Sequence, residues 1–101
     1  MRGNNKPIEE TKIKLGMFEL TACFREIKDD LRNPIGIYIG QLLIAEYYLS
    51  PIASKLSDYR YRVDIKTKIP GYSMEYKMAS ISDCRRKCIG AVISWTKLLR
   101  A

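Results

Sequence analysis

Eleven consecutive residues from Tyr59 to Ile69 (YRYRVDIKTKI) alternate between two faces without a break. Tyr59, Tyr61, Val63, Ile65, Thr67 and Ile69 fall on one side, and Arg60, Arg62, Asp64, Lys66 and Lys68 on the other. A period of two sends successive side chains to opposite faces of a strand, so the segment predicts a strand with one face in a core and one in water. Pro70-Gly71 breaks the run, and Tyr72 to Ala79 (YSMEYKMA) resumes the alternation. Setting Ile69 opposite Tyr72 gives an antiparallel hairpin in which Val63 faces Met78, Ile65 faces Tyr76 and Thr67 faces Met74. On its polar side that register opposes Lys66 to Glu75 and Asp64 to Lys77, two pairs of opposite charge. The tyrosines at 59, 61, 72 and 76 share their face with Val63, Ile65 and Met78, so they are expected to pack in the core rather than stack on a ligand.

The rest of the chain is read around this hairpin. Residues 1–10 (MRGNNKPIEE) are polar, contain Asn, Gly and Pro, and are expected to form a flexible arm; residues 11–101 then make a single domain. Thr11 to Ile27 alternates with a phase slip at Gly16-Met17, as a long bulged strand or two short strands would. Residues 34–49 (PIGIYIGQLLIAEYYL) form an apolar run that only Gln41 and Glu46 interrupt, which is expected to be a helix buried on most sides. Gly36 and Gly40, four apart, would open a small-residue groove on that helix. Ser80 or Ser82 can cap a last helix on which Ile81, Cys84, Cys88, Ala91, Val92, Trp95, Leu98 and Leu99 form one stripe. Ile89 and Ile93 lie almost opposite that stripe and are candidate interface residues together with Gly36 and Gly40. The expected fold is α+β, in the order β-α-β-β-α, with two main helices on one face of a small antiparallel sheet.

Composition narrows the chemistry. The 101 residues contain no histidine, which removes Ser-His-Asp and Cys-His catalysis and most catalytic zinc sites. No phosphate-binding loop or nucleophile elbow is present, so a non-enzymatic protein without cofactor, metal or small-molecule substrate is expected. Three cysteines, Cys23, Cys84 and Cys88, make a poor disulfide framework and suit the core of an intracellular protein. The polar N-terminus lacks the apolar segment of a signal peptide, and the run at 34–49 falls short of the roughly 20 residues a membrane helix needs.

The formal charge of +7 is unevenly spread. Residues 1–33 carry seven basic and six acidic groups, residues 34–57 one of each, and residues 58–101 ten and four. With Lys66 and Lys77 assigned to their cross-strand acids, Arg60, Arg62, Lys68, Arg85, Arg86 and Lys87 form the candidate nucleic-acid-binding set. Arg85 to Lys87 sit near a helix start, where the macrodipole favours acids, so helix stability does not account for them. The functional expectation is low-specificity binding of RNA or DNA. The alternative is an accessory or matrix-type assembly protein, a homodimer through its apolar helices, that touches an anionic membrane or a protein partner.

Overall fold

The computed structural model describes residues 9–15, 18–53 and 56–99. Six strands form one antiparallel sheet in chain order: β1 (Glu9–Leu15), β2 (Phe18–Glu26), β3 (Ile35–Ile39), β4 (Leu42–Leu49), β5 (Tyr61–Ile65) and β6 (Glu75–Met78). Among the described residues a single helix, α1 (Ile81–Leu98), follows them and lies mainly over β4 and β5. The molecule is a slab about 20 Å thick, as one sheet and one helix layer require. Of the arm expected at 1–10, residues 1–8 lie outside the described residues, and β1 begins at Glu9.

The α+β class holds, but the two-helix plan does not: the run at 34–49 is a β-hairpin. Ile35, Ile37 and Ile39 alternate along β3, and Ile39 pairs with Leu42 across the two-residue turn Gly40-Gln41. Gly40 has φ 59, the positive value that the first central position of a type II′ turn needs and that glycine adopts without strain. The apolar continuity that suggested a buried helix arises because these strands are central. Ile37, Ala45 and Tyr47 turn toward α1, whereas Tyr38, Leu43 and Tyr48 turn to the other face, so neither side supplies the expected polar alternation. A bulge between Ile37 and Tyr38 leaves Ile44 unopposed and fully buried. No glycine groove exists on a helix here. Gly36 is in β3, where an added Cβ would come within 2.6 Å of the Leu43 side chain, and Gly40 makes the turn.

The phase slip at 16–17 separates two strands, with Leu15 opposite Phe18. Between β2 and β3 the chain turns through Asp29 (φ 61) and Asn33 (φ 52), the residue types that best tolerate the left-handed region. The hairpin of β5 and β6 is present, but its register lies two residues from the expected one: Val63 faces Tyr76 and Tyr61 faces Met78. Pro70-Gly71 does turn the chain, with Gly71 at φ 85 and the Tyr72 N–H bonded to the Ile69 carbonyl at 3.1 Å, the pattern of a type II turn. It does so inside a longer connection. Ile65 N–H still bonds to Met74 O at 2.8 Å, while Lys66 N–H turns back to Ile44 O at 2.8 Å. The segment between them folds inward to bury Ile69, 4% exposed. The expected ion pairs do not form across this hairpin, where Arg62 opposes Lys77 and Asp64 opposes Glu75.

The core is a layer between sheet and helix: Ala22, Phe24, Ile37, Ile44, Ala45, Tyr47, Val63 and Ile65 meet Cys84, Cys88, Ala91 and Val92. Trp95 and Ile89 pack against its margin, while Ile81, Leu98 and Leu99 stay exposed, so the helix stripe is buried in its middle and open at both ends. Tyr61, Tyr72 and Tyr76 pack on the core as the sequence suggests, and Tyr59 is exposed. Ser80 is the cap: its hydroxyl accepts the Asp83 N–H at 3.1 Å. In urea titrations Ser80→Ala should lose about 1 kcal/mol and Ser82→Ala almost nothing. Phe24→Ala, at a fully buried site, should lose about 3–5 kcal/mol.

Candidate functional site

Five of the six candidate cations divide between the two sides of the slab, and Lys68 lies in a connection. Arg62 opposes Tyr48 on the sheet face away from α1. Its guanidinium donates to the carbonyls of Tyr59 at 2.8 Å and Tyr61 at 3.0 Å, which ties it to its own strand. The Ser50 N–H to Arg60 O bond, 2.8 Å, extends the β4–β5 ladder, so by alternation Arg60 belongs to the same face as Arg62. Lys68 is exposed in the connection after β5, beside an apolar groove bordered by Ile69, Pro70, Met74 and Leu98.

Arg85, Arg86 and Lys87 all stand on α1, over the opposite side of the sheet. At 100° per residue they fan across the helix surface. Arg85 lies over the Phe24 ring at 4.8 Å, and Lys87 lies over the Tyr76 ring at 4.3 Å and the Tyr72 ring at 5.6 Å. Between them Arg86, with a side chain 78% exposed, pairs with Asp83 at 3.3 Å one turn earlier. That exposed ion pair binds weakly and leaves the guanidinium accessible to a competing anion. The structure therefore brings 85–87 together as a ridge and separates them from Arg60 and Arg62. Of the candidate interface residues, Ile89 borders a shallow depression with Thr11, Ile81 and Arg85, and Ile93 is 37% exposed.

The densest chemistry on the slab was not among the sequence-derived candidates. On the sheet face away from α1, Arg32 reaches over from the β2–β3 turn and meets three carboxylates: Asp30 at 2.8 Å, Glu46 at 2.9 Å and Asp64 at 3.4 Å. Its guanidinium stacks on the Tyr48 ring at 4.5 Å, and the Tyr48 hydroxyl donates to Asp64 at 3.0 Å. Lys66 adds a second cation 3.8 Å from Glu46, whose residue is only 2% exposed. The signal was available: Glu46 is the lone acid in the apolar run at 34–49, and a carboxylate buried there needs a cation brought from elsewhere.

Asp30 and Arg32 hold each other in their charged forms. Hydrogen bonds from the Arg32 side chain, then from its backbone N–H, pull the Asp30 carboxyl from 3.8 down to about 2, and the same pairing raises Arg32. Burial, then the Asp64 carboxylate, raises Tyr48. Each of these three shifts runs away from neutrality, and the Arg32 guanidinium acts here as a clasp across the three acids. In the core, burial pushes the Cys84 thiol to about 11 and Cys88 to about 12, so neither offers a thiolate at neutral pH. All three cysteines are free, and among the described residues no group of Cys, Asp and Glu is placed to hold a metal ion. No described helix is long and apolar enough to cross a membrane.

No protein-family model, curated protein or solved structure matches this chain.

Removal of Arg32 should expose the clasp's role. Arg32→Ala leaves the buried Glu46 carboxylate with a cation only at the 3.8 Å distance of Lys66, and should cost about 3 kcal/mol in urea denaturation. A carboxyl depressed in the folded state contributes stability that is present above its unfolded pKa and lost as pH falls through its folded pKa. Wild-type stability should therefore drop between about pH 4 and pH 2, and Arg32→Ala should drop less across that window. A colorimetric disulfide reagent at about pH 8 should leave Cys84 and Cys88 unmodified in the native protein and label both in denaturant.

Proposed function

We propose that this is a non-enzymatic, intracellular protein that binds nucleic acid with little sequence specificity through the basic ridge of α1. The observation that carries the reading is the position of Arg85, Arg86 and Lys87: three consecutive cations in the N-terminal half of the helix, with Arg86 at its outermost surface. They lie past the first turn of the helix, where the macrodipole no longer acts, and the ion pair Arg86 makes with Asp83 is exposed and weak, so helix stability is a poor account of three adjacent cations. Contacts with Phe24 and Tyr76 fix the outer two in place, which lowers the entropy lost when a row of phosphates is bound. The opposite face supports the same assignment by contrast. Its buried Glu46 is bonded to Arg32 and near Lys66, and Arg62 is bonded to backbone carbonyls.

Three phosphate contacts imply a weak, salt-sensitive complex. Fluorescence anisotropy with a labelled duplex should give log K falling with log salt at a slope of about −2 to −3. Arg86→Glu, at an exposed position, should weaken binding about tenfold or more at low salt and flatten the slope by about one unit, with no change in thermal stability. Arg60→Ala and Arg62→Ala should each leave the affinity within a factor of about two. Salt-independent binding, or losses at Arg60 and Arg62 equal to that at Arg86, would refute the assignment.

A further inference from the structure

Among the described residues, the strand order leaves β1 and β6 as the two edges of the sheet with no strand beyond them. An open edge is a row of unpaired N–H and C=O groups, a template for another strand. The β6 edge is four residues long, and Lys87 of α1 lies over its Tyr76 ring. The β1 edge is seven residues long, EETKIKL, and contains neither proline nor glycine.

Charge along β1 reverses sign: Glu9 and Glu10 begin it, and Lys12 and Lys14 follow. An antiparallel copy of the same strand runs that pattern backwards, so the edge is complementary to itself. We propose that β1 pairs antiparallel with β1 of a second copy of this chain, joining two sheets into one across a two-fold axis at Thr11. In that register Glu10 of each copy faces Lys12 of the other, giving two opposite-charge pairs directly across the seam. The neighbouring registers are poorer. Centring on Lys12 would also oppose Glu10 to Lys14 twice, but at the cost of setting two lysines against each other on the axis, and a shift by one residue would turn one sheet over and set Glu10 against Ile13.

Two details of the protomer prepare this seam. Glu10 and Lys12 pair with Cys23 and Thr21 of β2, which places both on the face away from α1. There the Glu10 carboxylate accepts a hydrogen bond from the Cys23 thiol at 3.6 Å. Lys14 lies opposite Glu19 of β2, an acid of the same protomer. The contact is isologous and closes on itself, as stable homodimers require. Because each cross-copy pair joins residues of one face, both α1 helices come to lie on the same side of the joined sheet.

Sedimentation velocity on the full chain tests the seam. The wild type should sediment at twice the 11.7 kDa chain mass and dissociate as salt rises. Glu10→Lys alone or Lys12→Glu alone sets like charges across the axis and should raise the dimer dissociation constant about tenfold or more. The double exchange Glu10→Lys/Lys12→Glu should restore the dimer. Thr11→Cys, which leaves both charges in place, should form a disulfide-linked dimer under mild oxidation. A wild type that sediments as a monomer from micromolar to millimolar concentration overturns the proposal. So does a double exchange no tighter than either single variant when circular dichroism shows all three folded, or a Thr11→Cys protein that stays monomeric on oxidation.

Discussion

A six-stranded sheet has two faces, and the described residues supply one helix to cover them. The α1 side is closed by apolar packing, with Phe24, Ile37, Val63 and Ile65 against Cys84, Cys88, Ala91 and Val92. The other side is closed at its centre by charge: Arg32 comes over from a turn and lies across Tyr48, where it meets Asp30, Glu46 and Asp64. Such a clasp binds little more tightly than apolar packing would, because its members surrender hydration to form it. Its strength is geometric. A bidentate, planar cation that must satisfy acids from the β2–β3 turn, β4 and β5 fixes how those three elements sit together.

That division explains what the sequence disclosed and what it concealed. Strands with one wet face and one dry face alternate, and β5, β6 and the two halves of residues 11–27 could be read from that alternation. The last helix and its serine cap were legible too, because capping chemistry and a 3.6-residue stripe are local signals. Residues 34–49 were not. A strand pair in the middle of a sheet, apolar toward the helix and apolar beside Arg32, loses the alternation that marks a strand, and its length then resembles a buried helix. Gly40 stands four residues from Gly36, the spacing of a helix groove, but its positive φ makes a turn. The hairpin register departs from the charge pattern for a different reason. Charge pairing argued for one alignment, but burial of Ile69 pulled the connection inward and set another, leaving Asp64 to find Arg32 and Tyr48 instead of Lys77. Burial of a whole side chain outweighs a pair of exposed ion contacts.

The same competition sorts the cations. A net charge of +7 describes the chain, but the clasp takes up Arg32, and Arg62 is committed to backbone carbonyls. Arg85, Arg86 and Lys87 are arranged differently, with their charge carried on a helix surface and supported from below by aromatic rings. The two faces thus have different physical characters: one holds strands in register with buried charge, and the other presents charge outward. In a dimer joined at β1 the two ridges would stand side by side over one continuous sheet, about 40 Å apart at ordinary strand spacing. A long polyanion could bridge that span, which makes a second contact far more probable once the first has formed.

The claim that the helix side is the binding face can be tested residue by residue. Amide chemical shifts recorded while a short oligonucleotide is titrated into the labelled protein would locate the contact without any mutation. The account predicts shifts concentrated in the first half of α1, from Ser82 to Gly90, with the amides of Arg32, Glu46, Asp64 and Arg62 undisturbed. Shifts centred on those four and on Tyr38, with α1 silent, would contradict it.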